Sequence, residues 1–276
     1  VCTQPPLSPA QLPNQLQRLK VIVGKYSAIH TFNIAALQQL QQLVLQDSRD
    51  AAEHYNQLRG HSQLQDVELH NPNPGEVVEA APVWKTLPKL SSFMVSDCKV
   101  PLPGLQRLAE QLSAAVRLTK LDLGGIKVRS INEADEADLQ GRPACQHLAS
   151  LTNLRCLKTW SGEAPAHWIA SGGGQQLSAL KSLTELDVSR GLPALDETDA
   201  VLLALKLTHL KWLALGEDDY NKGWSTAPLP VIGHLTQLQH LGLGDLSGDN
   251  ARRGLSCLVA LTRLTYLGGF TAAGPG

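Results

Sequence analysis

The sequence predicts an α/β solenoid whose short parallel strands line one curved face, and three observations carry this prediction. About ten times along the chain an aliphatic pattern, LxxLxxLxL, returns, most clearly in LTNLRCLKTW, LTHLKWLALG and LTQLQHLGLGD. Its final LxL pair alternates apolar and variable residues, which is the period of a strand with one buried face. The 276 residues include 49 leucines but only 4% aromatic side chains, a balance typical of a narrow core of stacked aliphatic residues.

The last aliphatic position of each pattern, its anchor, sets the phase of the repeat. The anchors are Val21, Leu45, Leu69, Val95, Leu123, Thr159, Val188, Leu215, Leu243 and Gly269. They are about 24 to 36 residues apart and run from end to end, so we expect residues 1–276 to form a single domain of about ten repeats. The longer spacings after Leu123 and Thr159 predict irregular insertions near residues 127–147 and 161–177.

The segments between the predicted strands must carry the chain back across the sheet, because successive parallel strands need a crossover. The apolar residues of PLPGLQRLAEQLSAAV that share one helical face are Leu105, Leu108, Leu112 and Ala115. ALDETDAVLLALKL predicts a second helix, with either Asp196 or Thr198 as its N-cap. Helices or irregular segments are therefore expected on the side opposite the sheet.

Residues 90–123, LSSFMVSDCKVPLPGLQRLAEQLSAAVRLTKLDL, resemble a unit of the ribonuclease-inhibitor type of leucine-rich repeat. The unit has a strand, Cys98 three residues after the anchor, and then the helical segment LQRLAEQL. The wider resemblance to leucine-rich repeat proteins covers about residues 16–270. It implies a curved right-handed solenoid with a parallel sheet on the concave face and helices or irregular segments on the convex face.

One position departs from that family. Family members usually carry Asn or Cys three residues after the anchor, where the side chain satisfies backbone groups of the loop. Only Cys98 fits; the other residues at this position are Ser48, Pro72, Ile126, Gly162, Gly191, Asp218, Leu246 and Ala272. The resemblance therefore implies an irregular ladder and altered loop geometry.

Charge and composition bear on partners and compartment. The formal net charge is −1 and the pI is near 6.8, so no global field favours nucleic acid or an anionic membrane, and we expect neither as a partner. No apolar run reaches the roughly 18 residues that span a bilayer. The five cysteines are scattered without a CxxC pair, and no N-x-S/T sequon occurs. These features favour reduced thiols and a cytoplasmic, intracellular protein.

The ends of the sequence suggest that it is a fragment of a longer chain. The first residue is Val1 rather than Met, and the last repeat stops at Gly276 without a polar capping segment. Domains that flank this region in a longer chain are therefore expected.

Motifs that would carry catalysis or bind a cofactor are incomplete in this sequence. SGGGQQL has the glycines of a phosphate loop but lacks the GK[ST] that would meet the phosphate charge. The nine histidines form no HxH, HExxH or zinc-spaced Cys/His cluster. We therefore predict a protein that is not an enzyme and needs no cofactor or metal.

Residues between the buried strand positions should project onto the concave face in rows, because successive strand residues point to opposite sides. The predicted first row is Arg18, Gln42, Asp66, Ser92, Lys120, Cys156, Glu185, Trp212, His240 and Tyr266. The predicted central row is Lys20, Val44, Glu68, Met94, Asp122, Lys158, Asp187, Ala214, Gly242 and Gly268.

Two features of these rows are candidates for partner contact. Lys120, Asp122, Lys158, Glu185 and Asp187 form a mixed-charge belt, which either pairs internally or meets a partner. Further along, three aromatic residues stand beside small ones, and these rings either pack on one another or on following repeats, or form a hot spot for a peptide. The candidate partner-binding residues are Lys120, Asp122, Lys158, Asp187, Trp212, His240 and Tyr266.

The resemblance implies a non-enzymatic protein–protein interaction module or scaffold that binds another protein or peptide on its concave face. The alternatives lie in larger proteins of which such repeats form part. One is the substrate-recognition arm of an F-box type ubiquitin ligase, and another is the sensor region of a receptor kinase or immune NTPase. A further alternative is an axonemal or cytoskeletal scaffold, suggested by a resemblance of the Ala, Gly and Gln-rich style to algal repeat proteins.

Overall fold

A long parallel sheet organises the molecule. The computed structural model describes residues 13–22, 34–46, 52–128, 144–159, 161–162, 173–188, 197–215, 229–243 and 255–268. The strands of the main sheet, in spatial order, are β1 (Arg18–Ile22), β2 (Gln42–Gln46), β3 (Asp66–His70), β4 (Ser92–Ser96), β6 (Lys120–Asp122), β8 (Cys156–Lys158), β10 (Glu185–Asp187), β11 (Trp212–Leu215), β12 (His240–Leu243) and β13 (Tyr266–Gly268). A smaller sheet contains β5 (Cys98–Val100), β7 (Ile126–Val128) and β9 (Ser161–Gly162).

The order of these strands defines a solenoid. Strands of the main sheet pair in the order in which they occur along the chain, and every pair is parallel. Each repeat therefore adds one strand beside the last and returns through a crossover on the other side. The predicted fold, a curved right-handed leucine-rich-repeat solenoid with its parallel sheet on the concave face, is confirmed.

Short helices occupy the return segments on the convex side. They are α1 (Ala52–Gln57), α2 (Pro74–Glu79), α3 (Ala81–Trp84), α4 (Leu102–Leu112), α5 (Ala144–Leu148), α6 (Gly173–Leu177), α7 (Glu197–Lys206) and α8 (Leu229–Ile232), with 3₁₀ turns at Ile34–Ala36 and Ser256–Ala260. Both predicted helices are present as α4 and α7, and the predicted apolar face of α4 is buried. Of the two predicted caps for α7, Asp196 lies outside the described residues and Thr198 lies within the helix.

One continuous aliphatic core runs between the sheet and the helices. The anchors from Leu45 to Leu243 are buried and Val21 is partly buried, whereas Gly269 lies outside the described residues. Each fully buried aliphatic side chain contributes roughly 1.5–3 kcal/mol through the hydrophobic effect. The phase read from the repeat is therefore the phase of the core.

Backbone hydrogen bonds link each repeat to the next at the entrance to the strands. The N–H of the residue preceding each strand donates to the carbonyl of the equivalent residue one repeat earlier, as from Gln65 to Gln41 at 2.8 Å and from Gln239 to Lys211 at 2.8 Å. Hydroxyls such as that of Thr119, which donates to the Ser91 carbonyl at 3.1 Å, reinforce the same ladder. The repeats are thus joined by main-chain groups that need no particular side chain, which the sequence reading did not anticipate.

The smaller sheet lies where the resemblance implied an irregular ladder. Cys98 pairs with Ile126 in register, and the Cys98 N–H donates to the Gly125 carbonyl at 3.2 Å. Both side chains are buried, so an apolar residue at this position stabilises the turn by packing while strand pairing satisfies its backbone. The alternation in CKV and IKV was the sequence signal for these short strands.

Gly125 lies at the close approach between the two sheets. A Cβ at this position would lie 2.4 Å from Cα of Ser96 and 2.8 Å from N of Asp97, so the backbone itself would have to move. We expect Gly125→Ala to lower the free energy of unfolding by about 1–3 kcal/mol in urea titrations. Gly75→Ala is the matched control, because its Cβ would meet nothing nearer than Oδ1 of Asn73 at 3.6 Å. Equal stabilities of the two variants would contradict this account.

The two predicted insertions are described only at their ends. The segment 127–147 begins in β7 and finishes in α5, and residues 129–143 lie outside the described residues. The segment 161–177 begins with β9 and ends with α6, and residues 163–172 lie outside as well. The irregular structure expected within these two segments therefore stays a prediction.

Buried aromatic rings form a second kind of core near the middle repeats. The ring of Trp84 lies between those of Tyr55 and Phe93, with centroid distances of 5.5 Å and 5.1 Å. All three side chains are fully buried. This cluster lies between α1, α3 and β4 and is continuous with the aliphatic core.

Candidate partner-binding face

The in-register pairing of the strands confirms both predicted rows. Arg18 pairs with Gln42, and the same register continues along the first row to His240 and Tyr266. Lys20 begins the central row in the same way. All the candidate residues lie on these two rows, between β6 and β13. The repeat phase thus located the neighbours of each concave side chain correctly.

The mixed-charge belt is partly an internal pair. Lys158 lies between Asp122 and Asp187 in the central row, and its Nζ is 3.6 Å from Oδ2 of Asp122. Oδ1 of Asp122 accepts a hydrogen bond from the Gly124 N–H at 3.0 Å. Asp122 is also buried, and its carboxylate caps the turn after β6, while its predicted contact with a partner stays a prediction.

Lys120 also influences a carboxyl group outside the mixed-charge belt, that of Asp66. It lies in the first row between Ser92 and Cys156. Burial and the nearby charge of Glu68 raise the pKa of Asp66, while the charges of Lys120 and Arg18 oppose that rise. The electrostatic effect of Lys120 therefore reaches Asp66 on β3.

Polar residues of the earlier repeats satisfy one another on the same face. Nδ1 of His70 is 2.7 Å from Oγ of Ser96 across the β3–β4 pair, and its Nε2 is 3.6 Å from Oε2 of Glu68. The first contact crosses from β3 to β4 and the second joins two residues of β3, and together they hold the three side chains in place. This end of the face is therefore already paired.

Cys156 is buried although its row position predicted exposure. Burial, and next a hydrogen bond with Glu185, raise its pKa to about 12. Burial raises the pKa of Cys98 to about 11. Since the thiolate is the nucleophile and metal ligand, both thiols are chemically inert near neutral pH. Cys98, Cys156 and Cys257 are free thiols, whereas Cys2 lies outside the described residues and Cys145 lies in α5.

Three parallel rings form a ladder on β11, β12 and β13. The ring centroids of Trp212 and His240 are 3.3 Å apart with planes 4° from parallel, and those of His240 and Tyr266 are 4.1 Å apart at 9°. These distances are shorter than the roughly 4.8 Å between parallel strands, because side chains on the concave side of a curved sheet converge. The three rings therefore pack on one another, and their role in partner binding stays a prediction.

The ladder nevertheless remains accessible. The exposed fraction is 38% for Trp212 and 52% for Tyr266. The central row beside it is Ala214, Gly242 and Gly268, and an added Cβ on Gly268 would lie 2.6 Å from the Tyr266 hydroxyl oxygen. The Tyr266 ring therefore lies over bare backbone, as the residue pattern predicted. Exposed rings above a floor of small residues make a shallow, preorganised apolar surface.

His240 sits at the centre of this ladder. Its Nδ1 is buried and finds no hydrogen-bond partner among the described residues. Burial lowers the pKa of His240, and the charge of Asp187 opposes that shift less strongly. The imidazole is therefore neutral at pH 7 and serves as a flat spacer between the two outer rings.

The described part of the chain holds neither a membrane-length apolar helix nor a group of three or more His, Cys, Asp or Glu side chains arranged for a metal.

Comparisons with known proteins give structural likeness only. No protein-family model matches the chain, and no curated protein sequence does. An internalin, InlF, from Listeria monocytogenes is 17% identical over 95% of this chain and 84% of its own, with a TM-score of 0.44. TLR13 in its complex with ssRNA13 is 16% identical over 87% of this chain and 37% of its own, with a TM-score of 0.38. The tropomodulin C-terminal domain of Caenorhabditis elegans is 13% identical over 78% and 92%, with a TM-score of 0.36.

Because these likenesses are remote, the fold assignment rests on the register and core of this chain.

Proposed function

We propose that this chain is a non-enzymatic binding module that holds a segment of another protein on its concave face. The observation that carries the proposal is the accessible ladder of Trp212, His240 and Tyr266 above its floor of small residues. Aromatic anchors that are already stacked lose little conformational entropy on binding, which favours them as hot spots. On the strands that precede the ladder, Lys120, Lys158 and Asp187 supply polar contacts to the partner, and Asp122 pairs with Lys158 at 3.6 Å.

The in-register sheet supports a peptide ligand in particular. The strands present their side chains at regular intervals, so an extended segment crossing them meets one row position per repeat. Several expectations about this chain remain predictions. They are that it binds neither nucleic acid nor a membrane, and that it is cytoplasmic or axonemal. The alternatives that it belongs to a ubiquitin ligase or to a receptor also remain predictions.

Panning a random peptide library against the protein tests this proposal. We expect selected peptides to bind Trp212→Ala/Tyr266→Ala at least about tenfold more weakly than the parent, because truncating hot-spot aromatics removes most of the contact energy. The thermal midpoint should change by only a few degrees, since both rings are partly exposed.

The matched control is Val116→Ala/Leu205→Ala, which truncates two exposed apolar side chains away from the concave rows. Peptides should bind this variant as they bind the parent. Equal binding to the parent and to the aromatic double variant would overturn the proposed site.

A further inference from the structure

The ring ladder has an open end that faces charged residues. One face of Trp212 is covered by His240 on β12, so its other face is directed towards β10. The first-row residue of β10 is Glu185, which pairs in register with Trp212, and the central-row residue is Asp187. A planar group that stacks on the free face of Trp212 would therefore lie beside Glu185.

The charged residues at this open end are Glu185 and Asp187, and Lys158 pairs in register with Asp187 on the next strand, β8. On the two rows from β10 to β13, Glu185 and Asp187 carry carboxylates, and no lysine or arginine occurs at those positions. The adjoining cation, Lys158, is held at 3.6 Å from Asp122 on the side away from the ladder. Glu185 is exposed, and the Cys156 thiol that is hydrogen-bonded to it leaves further acceptor positions on the carboxylate. The field of Asp187 reaches the ladder, since it raises the pKa of His240 against the larger effect of burial.

We propose that this end of the concave face binds an arginine side chain of the partner polypeptide, with the guanidinium lying flat on the free face of Trp212 and paired with the carboxylate of Glu185. Asp187 adds a second negative charge beside it. This inference rests on the proposed function, because it names the chemistry that the binding face recognises. The guanidinium becomes the fourth layer of a ladder whose existing layers are 3.3 Å and 4.1 Å apart.

Arginine fits this geometry better than other groups. Its planar cation stacks on an aromatic face and forms paired hydrogen bonds to a carboxylate, whereas the ammonium of lysine is a compact, strongly hydrated charge that cannot stack. A nucleobase also stacks on tryptophan, but its phosphates would approach Glu185 and Asp187. An uncharged ring would cover Trp212 without forming an ion pair with Glu185.

Titration of the protein with N-acetyl-arginine amide, followed by NMR at the Trp212 indole N–H, tests the inference. That signal is assigned by its loss in Trp212→Phe. We expect a saturable shift with the arginine derivative and at least about fivefold weaker binding of the lysine derivative. The citrulline derivative, which keeps the planar shape without the charge, should bind more weakly still.

Two substitutions test whether the arginine derivative binds beside Trp212 and Glu185. Glu185→Gln should weaken binding of the arginine derivative by about fivefold, because a charge-assisted pair becomes a neutral one. Glu68→Gln removes a carboxylate from the same face on β3 and should leave binding unchanged. Equal binding of arginine and citrulline, an unchanged affinity in Glu185→Gln, or tighter binding of a single-stranded oligouridine would each overturn the inference.

The outcome is separable from that of the proposed function. If panned peptides depend on Trp212 and Tyr266 but contain no excess of arginine, and the arginine derivative does not bind, the module binds protein through another chemistry. If panned peptides ignore the aromatic pair, the proposed function fails even where the arginine derivative binds.

Discussion

Replacing Leu186 with alanine is expected to lower the free energy of unfolding by about 2–5 kcal/mol. Leu186 lies in the middle of β10, is fully buried, and pairs with Leu157 and Leu213 on both sides. Its removal leaves a cavity between two neighbouring repeats, so the interfaces on both sides lose contact at once. Urea unfolding followed by far-UV circular dichroism measures the change.

Leu205→Ala is the control for this substitution. Leu205 lies in α7 and is 56% exposed, so the same chemical change removes little buried surface. Leucine and alanine have similar helix propensities, and the change in stability should stay within about 0.5 kcal/mol. An unfolding curve for Leu186→Ala that matched the Leu205→Ala curve would mean that the strand phase is wrong.

Trp84→Ala is expected to destabilise the protein by about 3–5 kcal/mol. Trp84 is fully buried between Tyr55 and Phe93, at ring-centroid distances of 5.5 Å and 5.1 Å. Alanine would leave a large cavity and remove both ring contacts. The near-UV circular dichroism signal and the urea midpoint report the loss together.

The substitution Trp84→Phe distinguishes the contribution of the aromatic ring to stability from that of the indole N–H. Nε1 of Trp84 has no hydrogen-bond partner among the described residues, so its removal leaves no acceptor unsatisfied there. We expect this variant to lose only about 1 kcal/mol, because a ring still lies between Tyr55 and Phe93. A loss as large as that of Trp84→Ala would contradict the view that a phenyl ring between Tyr55 and Phe93 preserves most of the packing of the cluster.

The sequence was sufficient for the register of the concave face. A strand has a strict period of two, so the phase of the buried leucines determines which residues project, and the repeat then aligns Trp212 with His240 and Tyr266. The same logic aligned Lys158 with Asp122 and Asp187. The period of the repeat determines which residues of adjacent strands are neighbours, because each repeat has the same geometry as the one before it.

The extent to which each side chain of the concave face is buried was not predictable in this way. Asp122 and Asp187 occupy the same row, yet Asp122 is buried and bound to the Gly124 N–H while Asp187 is partly exposed. Cys156 likewise occupies a projecting position and is buried. Burial at these positions depends on the length of the neighbouring side chains and on the turn that follows each strand.

The role of Glu185 also became clear only from three-dimensional packing. In the sequence it is one charge of a mixed belt, whereas in the fold it lies beside the free face of Trp212. Which face of the indole is free depends on its χ angles, and a row assignment contains no information about them.

By itself, then, the sequence determined the solenoid, its strand phase and the two concave rows, since these follow from a repeated hydrophobic period that local residues carry. The tertiary structure alone decided that the rings stack, that Asp122 caps a turn, and that a second sheet begins at Cys98. The stacking and the second sheet depend on the curvature of the main sheet and on contacts between residues about 26 to 28 positions apart, which no local pattern records, whereas the Asp122 cap is a local contact that forms where the carboxylate is buried.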